Sequence, residues 1–187
     1  MSCRQIWAWS ILLILTLASC QTSKSTTPSK GSSDVSAATK YTITGPSNAV
    51  AYVEKYKHIA VTESRRTGIP ASIKLAQGVL ESGYGSSKLA QKANNHFGIK
   101  CGSGWKGKTM KYKGSCYRVF KNGADAYKEH SNFLVNGKRY DFLFDLKRSD
   151  YKGWARGLKK AGYATNPSYP SKLIELIERY KLYNYDK

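Results

Sequence analysis

Apolar residues recur at helical spacing through most of the chain beyond residue 46. The second of these patterns carries Ile73, Ala76, Val79 and Leu80 on one side and stops at glycines. Caps and breakers bound the other patterns in the same way. Six helices are therefore predicted, over residues 48–68, 70–83, 86–92, 124–135, 151–161 and 170–182.

Residues 100–121 have a different pattern, in which glycines alternate with Tyr, Lys and small residues. Two strand-like segments, TMKYK and CYRVF, bracket Gly114 and Ser115, which is a hairpin signal. The fold class predicted is mainly α (α+β), with one β-hairpin inserted after the third helix.

The first twenty residues differ from the rest because residues 6–18, IWAWSILLILTLA, are almost wholly apolar. Thirteen residues are short of the roughly 20 that span a bilayer as a helix, so this segment is typical of a secretory signal. Residues 17–20 read LASC and resemble a bacterial lipobox, whose cysteine is acylated. Ordinary signal cleavage beside an incidental Cys20 is the alternative. Resemblance to the lipoprotein sorting pattern implies the outer membrane if the cell has two membranes, because Gln21 is not Asp.

Three regions follow from these patterns. Residues 1–19 are a lipoprotein signal peptide, and residues 20–45 are the acylated cysteine with a flexible tether rich in Ser, Thr, Lys, Gly and Pro. Residues 46–187 form one domain. We expect a monomer in the cell envelope, held on a membrane through Cys20.

The excess of basic over acidic side chains indicates what kind of molecule the protein binds. The chain carries 31 basic and 12 acidic side chains, and 27 and 11 of them lie in residues 46–187. Such a surface suits an anionic or sugar-bearing partner. Export argues against a nucleic-acid partner. Export also places Cys101 and Cys116 where they can form a disulfide, although two free thiols are the alternative.

Glu81 is the residue whose position suggests chemistry. Lys74, Gln77 and Glu81 share one face of the second helix, and we expect this polar stripe to face a groove or solvent. The negative end of the helix dipole and partial burial would both favour the protonated carboxyl group, as an acid catalyst of glycoside cleavage requires. A solvated glutamate at a helix end is the alternative.

Three segments resemble the glucosaminidase domains of glycoside hydrolase family 73, which are mannosyl-glycoprotein endo-β-N-acetylglucosaminidase-like. They are PASIKLAQGVLESGYGSSKLAQKANNHFGIKC from residue 70, YRVFKNGADAYKEHSNFL from 117 and WARGLKKAGYATNPSYPSKLIELI from 154. The resemblance implies a goose-lysozyme-like α lobe and a small β-hairpin lobe flanking a groove. It also implies hydrolysis of peptidoglycan after N-acetylglucosamine. The family's catalytic acid aligns with Glu81, and a tyrosine near that acid aligns with Tyr163.

The chain departs from many family members in one respect, because residues 82–124 contain no Asp or Glu. The next carboxylates, Asp125 and Glu129, lie on another predicted helix. Two mechanisms need a single carboxyl group: attack by the substrate's own 2-acetamido oxygen, which we favour, or attack by a water held by Tyr163 and Asn95.

Four further residues are candidates for substrate binding. Asn95 can hold a sugar amide or Glu81, or it can simply form a turn. Phe97 can line the groove or pack in the core. Trp105 and Tyr112 can stack on sugar rings or merely cover the hairpin.

No metal or cofactor is expected, because the three histidines lie in separate segments. Two other functions stay open. A lytic transglycosylase also needs a single Glu, and a non-catalytic lipoprotein that binds peptidoglycan would need none.

Overall fold

The computed structural model describes residues 47–187, so the predicted signal peptide, Cys20 and the tether lie outside the described residues. Within them, the predicted helices and hairpin are confirmed, with ends that shift by a few residues. The elements are α1 (Ser47–Thr67), α2 (Ala71–Ser82), α3 (Lys88–Ala93), β1 (Thr109–Tyr112), β2 (Ser115–Arg118), α4 (Gly123–Val135), α5 (Tyr151–Lys160) and α6 (Tyr169–Arg179). Two 3-10 segments that the sequence did not predict lie at Lys138–Asp145 and Leu182–Tyr185.

Helix α2 is the centre of the α lobe. Every residue from Ala71 to Val79 is buried, because α1, α5, α6 and the C-terminal 3-10 segment all pack around it. The carboxylate of Asp186 accepts a hydrogen bond from the Ser72 amide at 2.8 Å and so satisfies one free N–H of the first turn. Gly83, in the left-handed conformation, ends the helix.

The β lobe is a two-stranded antiparallel hairpin in which Tyr112 pairs with Ser115. The sequence predicted the turn at Gly114 and Ser115, but Lys113 and Gly114 form it, with φ values of 46° and 72°. Positive φ at both central residues gives the twist that a two-residue hairpin turn needs, so Ser115 belongs to the strand.

A disulfide links Cys101 to Cys116 with Cα atoms 5.5 Å apart, which confirms the predicted pair. The amide of Cys101 also donates to the carbonyl of Cys116 at 3.1 Å. The segment before the hairpin is thereby fastened to β2.

Tyrosines surround a glycine in the middle of α2. The hydroxyl groups of Tyr52 and Tyr127 lie 3.3 Å apart, and a methyl group added at Gly78 would meet each of them at 2.5 Å. Tyr56 stacks on the ring of Tyr127 at a centroid distance of 5.3 Å. The absence of a side chain at Gly78 is therefore what allows α1 and α4 to approach α2 so closely.

We predict that Gly78→Ala lowers the free energy of unfolding by about 1–3 kcal/mol, because the two hydroxyl groups must move out of a packed core. Urea denaturation followed by circular dichroism measures the change. Gly104→Ala is the matched control, since the space around Gly104 is open. Equal stability of the two variants would contradict this account of the core.

Candidate active site

A groove of about 790 Å³ runs between the α lobe and the hairpin lobe. One wall comes from the end of α2, from α4 and from the start of α6, and the other comes from residues 98–102 and β2. The loop after α5, residues 163–166, completes it. The two lobes thus flank a groove, as the sequence predicted.

Glu81 lines this groove at the last turn of α2. Its Oε1 accepts a hydrogen bond from the Tyr169 hydroxyl at 3.2 Å, and that hydroxyl in turn accepts one from Gln77 Nε2 at 3.0 Å. Although Glu81 is open to the groove, the walls displace much of the water that would hydrate its carboxylate. This burial raises the pKa of Glu81, and the hydrogen bond from Tyr169 opposes the rise only in part.

Tyr163 also lines the groove, and a chain of buried polar groups lies behind it. Its hydroxyl oxygen lies 2.9 Å from Nε2 of His130. Nδ1 of His130 lies 2.7 Å from Nζ of Lys74, which also donates to the carbonyl of Tyr127 at 3.0 Å. Burial raises the pKa of Tyr163 well above its usual value, so the phenol is neutral.

The prediction that the whole polar stripe of α2 faces the groove or solvent is wrong. Lys74 and Gln77 are completely buried, and Glu81 alone of the three reaches the groove. Seven residues of helix rise by about 10 Å, which is enough to run from the interior to the surface. The stripe therefore faces inward, toward polar partners from α4 and α6.

Glu81 is the sole carboxylate among the described residues that line the groove. Glu129 lines an adjoining pocket and forms an ion pair with Arg118 of β2. Asp125 lies in the first turn of α4, where its amide donates to Asn122. The cations that line the groove are Lys100, Arg118, Arg139 and Lys172.

The predicted substrate-binding residues are spread out. Phe97 both packs in the core and lines the groove. It is buried, and its ring stacks on that of His130 with the ring centroids 4.1 Å apart. The side-chain amide of Asn95 makes three hydrogen bonds of 2.9 Å to the backbone. It donates to the carbonyls of Ile99 and Arg118 and accepts from the amide of Ile99. This use of Asn95 joins the lobes and leaves no amide group for a sugar or for Glu81.

The two hairpin aromatics are not among the groove-lining residues. The Trp105 indole donates to the Lys108 carbonyl at 3.0 Å, and its ring lies against the guanidinium of Arg118. Tyr112 lies beside the ammonium group of Lys88 instead. Trp105 thus packs against Arg118 from the segment before β1, and Tyr112 lies toward α3, so the stacking of either ring on a sugar stays a prediction.

Three residues of the site were not singled out by the sequence as partners of the acid or the tyrosine. Tyr169 contacts Glu81 from 88 residues away, and His130 and Lys74 support Tyr163. A spacing signal existed for Lys74 alone, through the shared face of α2. Within residues 47–187, no three His, Cys, Asp or Glu side chains lie close enough to hold a metal ion.

No helix within residues 47–187 is both long and apolar enough to cross a membrane.

Comparison with known proteins gives a family match. The family model described as mannosyl-glycoprotein endo-beta-N-acetylglucosaminidase matches residues 57–182. The exo-glucosaminidase LytG of Bacillus subtilis is 35% identical over 136 residues, covering 62% of this chain and 46% of LytG. The peptidoglycan hydrolase FlgJ of Vibrio parahaemolyticus is 29% identical, covering 68% of this chain and 46% of FlgJ. This chain thus spans about half the length of these relatives.

Among solved structures, a peptidoglycan hydrolase from Sphingomonas sp. A1 superposes with a TM-score of 0.62 at 30% identity, covering 72% of this chain and 91% of that one. This structural likeness supports the lysozyme-like fold that the resemblance implied. With the family model matching more than half of its residues, the chain belongs to the glucosaminidase family, whose description is mannosyl-glycoprotein endo-beta-N-acetylglucosaminidase.

Proposed function

We propose that this protein is a peptidoglycan hydrolase, an endo-β-N-acetylglucosaminidase that cleaves the β-1,4 bond after N-acetylglucosamine with Glu81 as its general acid. The observation that carries the proposal is a single carboxyl group in a groove between two lobes, with a pKa that burial raises. A glycosidase acid must hold its proton until the glycosidic oxygen takes it, and a raised pKa favours that state.

The other charges of the groove suit this substrate. Arg118 is paired with Glu129, and the other three lining cations, Lys100, Arg139 and Lys172, lie in a groove with one carboxyl group, so the groove attracts anions. The stem peptides of peptidoglycan carry carboxylates, and a glycan strand lying in the groove would present them to these cations.

The mechanism that fits one carboxyl group is substrate-assisted. Glu81 gives its proton to the glycosidic oxygen as the bond from that oxygen to the anomeric carbon breaks. The oxygen of the sugar's 2-acetamido group forms a bond to the anomeric carbon in its place. Water then attacks the same carbon and gives a proton to the Glu81 carboxylate, which restores the acid and the acetamido group.

Tyr163 is the second residue that we place in the reaction. Its phenol is neutral, lines the groove and is fixed from behind by His130. A hydroxyl group held in this way can orient the acetamido oxygen, or the water that attacks later.

For the residues outside the structure, we propose export and lipid anchoring at Cys20. The apolar segment at residues 6–18 and the LASC ending support this proposal. The enzyme would then work in the cell envelope, on the periplasmic side of the outer membrane where a cell has two membranes. Residues 21–45 would give the domain its reach toward the wall.

The first prediction tests the reaction and its acid together. We expect the full chain to release fragments from peptidoglycan that end in reducing N-acetylglucosamine, and Glu81→Gln to release about a hundredfold less or none because it cannot donate a proton. Mass spectrometry of borohydride-reduced digests identifies the ends. Glu175→Gln is the matched control, since Glu175 is exposed on α6 and pairs with Arg179.

Other outcomes of this assay would replace the proposal. Anhydro-muramic ends would make the protein a lytic transglycosylase. Binding to peptidoglycan without release by either the wild type or Glu81→Gln would make it a non-catalytic envelope lipoprotein, for which the missing second carboxylate is the best argument.

A second prediction concerns pH. The hydrogen bond from Tyr169 favours the ionised form of Glu81 and lowers its pKa, so Tyr169→Phe raises that pKa further. Since the protonated form is the active acid, activity falls as pH rises through the pKa, and we expect this falling limb to move to higher pH. A pH–rate profile measures the shift. Tyr180→Phe, which removes a buried hydroxyl group outside the groove lining, should leave the limb in place.

A third prediction concerns the anchor. Cys20→Ser should abolish incorporation of labelled palmitate and move the protein out of the membrane fraction, because the acylated sulfur is gone. Cys3→Ser is the control, since Cys3 leaves with the signal peptide and its loss should change neither result. Undiminished labelling of Cys20→Ser would refute the anchor.

A further inference from the structure

Lys74 and His130 form a buried chain that ends at the Tyr163 hydroxyl, and neither of them touches the substrate in the proposed reaction. We propose that they are positioning residues that hold the Tyr163 O–H group pointing into the groove. This inference rests on the proposed function, because the hydroxyl group they orient is the one that we place against the substrate.

The surroundings of Lys74 are unusual for a lysine. The side chain is completely buried, and its Nζ lies 4.9 Å from the centre of the Phe97 ring and 5.5 Å from that of Tyr127. Burying an amine costs free energy unless its hydrogen bonds are replaced. An unbranched apolar residue such as Met would fill the same space without that cost, so the distinctive contribution of the amine is its pair of hydrogen bonds.

Those two hydrogen bonds determine which nitrogen of His130 carries the proton. Lys74 donates to the Tyr127 carbonyl, and Nδ1 of His130 lies 2.7 Å from the same amine, so in the proposed arrangement a second N–H of Lys74 donates to Nδ1. An accepting Nδ1 carries no proton, so the neutral imidazole holds its proton on Nε2. Nε2 then donates to the Tyr163 oxygen at 2.9 Å.

The placement of this proton on His130 determines the direction of the Tyr163 O–H group in the groove. Because the Tyr163 oxygen accepts from His130, its own proton is directed to the groove side, where Tyr169 lies and where a substrate acceptor would lie. Both acceptors of the mechanism, the acetamido oxygen and a water oxygen, match an O–H donor. Without the amine, His130 can carry its proton on Nδ1, and Tyr163 would then turn its O–H inward to Nε2.

The charges around the chain keep His130 neutral. Burial and the nearby Lys74 lower the pKa of His130 well below 6.5. On the α1 side, Glu63 raises the pKa of Lys74 and Arg66 lowers it, while burial, the largest effect, lowers it. In its ammonium form Lys74 has N–H donors and no acceptor, so it can only donate to Nδ1; a neutral amine keeps two N–H donors and adds one lone pair, and the tautomer of His130 then shows which of them faces Nδ1.

The structure also contains a matched pair that lies outside the groove. His96 Nε2 lies 2.9 Å from the Tyr56 hydroxyl, the same distance that separates His130 from Tyr163. Both histidines are buried, and burial lowers the pKa of His96 to about 4. No lysine of residues 47–187 takes part in the hydrogen bonds of this second pair, which therefore serves as the control.

The kinetic test is a double-mutant cycle on the full chain with peptidoglycan as substrate. We expect Lys74→Met to lower kcat by about ten- to a hundredfold with little change in KM, because a misdirected group loses rate rather than binding. In a Tyr163→Phe background, Lys74→Met should have no further effect on kcat. Tyr56→Phe and His96→Gln should leave kcat unchanged.

Each other result of the cycle counts against the inference. An equal loss from Lys74→Met in both backgrounds would show that the lysine acts through the fold and not through Tyr163. A fall in kcat for the His96 and Tyr56 controls equal to that for Lys74→Met would show the same.

A second measurement covers the case in which Lys74→Met does not fold. Nitrogen-15 NMR of the wild-type protein, with the signals assigned through His96→Gln and His58→Gln, reports the tautomer of His130. A proton on Nε2 supports the inference, and a proton on Nδ1 overturns it. A wild-type protein that releases no fragments would overturn the proposed function instead, and the tautomer would still decide the orientation of Tyr163.

Discussion

The fold depends on one constraint, which is that α2 carries the amine of Lys74 and the amide N–H of Gln77 through the interior, and these donors must find hydrogen-bond partners there. A buried polar atom without a partner costs free energy. The elements around α2 must therefore supply hydrogen-bond partners as well as apolar contacts. For Lys74, α4 supplies the Tyr127 carbonyl and His130. For Gln77, α6 supplies Tyr169. Glu81 and Tyr163 keep their positions at the groove because these buried partners are hydrogen-bonded to them.

Helix α2 also explains why two separate chains of hydrogen bonds lead to the site. One chain runs from Gln77 through Tyr169 to Glu81, and the other runs from Lys74 through His130 to Tyr163. Both start in the core, where packing removes freedom, and both end in the groove, where a substrate would lie. Side chains held at their buried ends lose little further entropy when substrate binds, so their geometry is preorganised.

Sequence reasoning predicted what local patterns control. The helices followed from apolar spacing and caps. Glu81 followed from the resemblance of residues 70–101 to the family, because its place at a helix end left a solvated glutamate as the alternative. The 3-10 segments were missed because they are too short to show a period. The inward direction of Lys74 was missed because a polar stripe on a helix usually faces water, and only tertiary partners reverse that rule. Tyr169 contacts Glu81 across 88 residues, a distance over which one sequence carries no pairing signal.

Glu81 also shows which electrostatic effect dominates in the groove. Cations near a carboxyl group lower its pKa, and four of them line the same groove, yet burial raises the pKa of Glu81 and the Tyr169 hydrogen bond is the effect that opposes it. Lys100, Arg139 and Lys172 are exposed, so water and salt screen them over a Debye length of about 8 Å. Their charge therefore acts outward, on an anionic strand arriving from solvent, and does not cancel the rise in the pKa of Glu81. The separation of these two effects lets one groove attract anions while burial still raises the pKa of its acid.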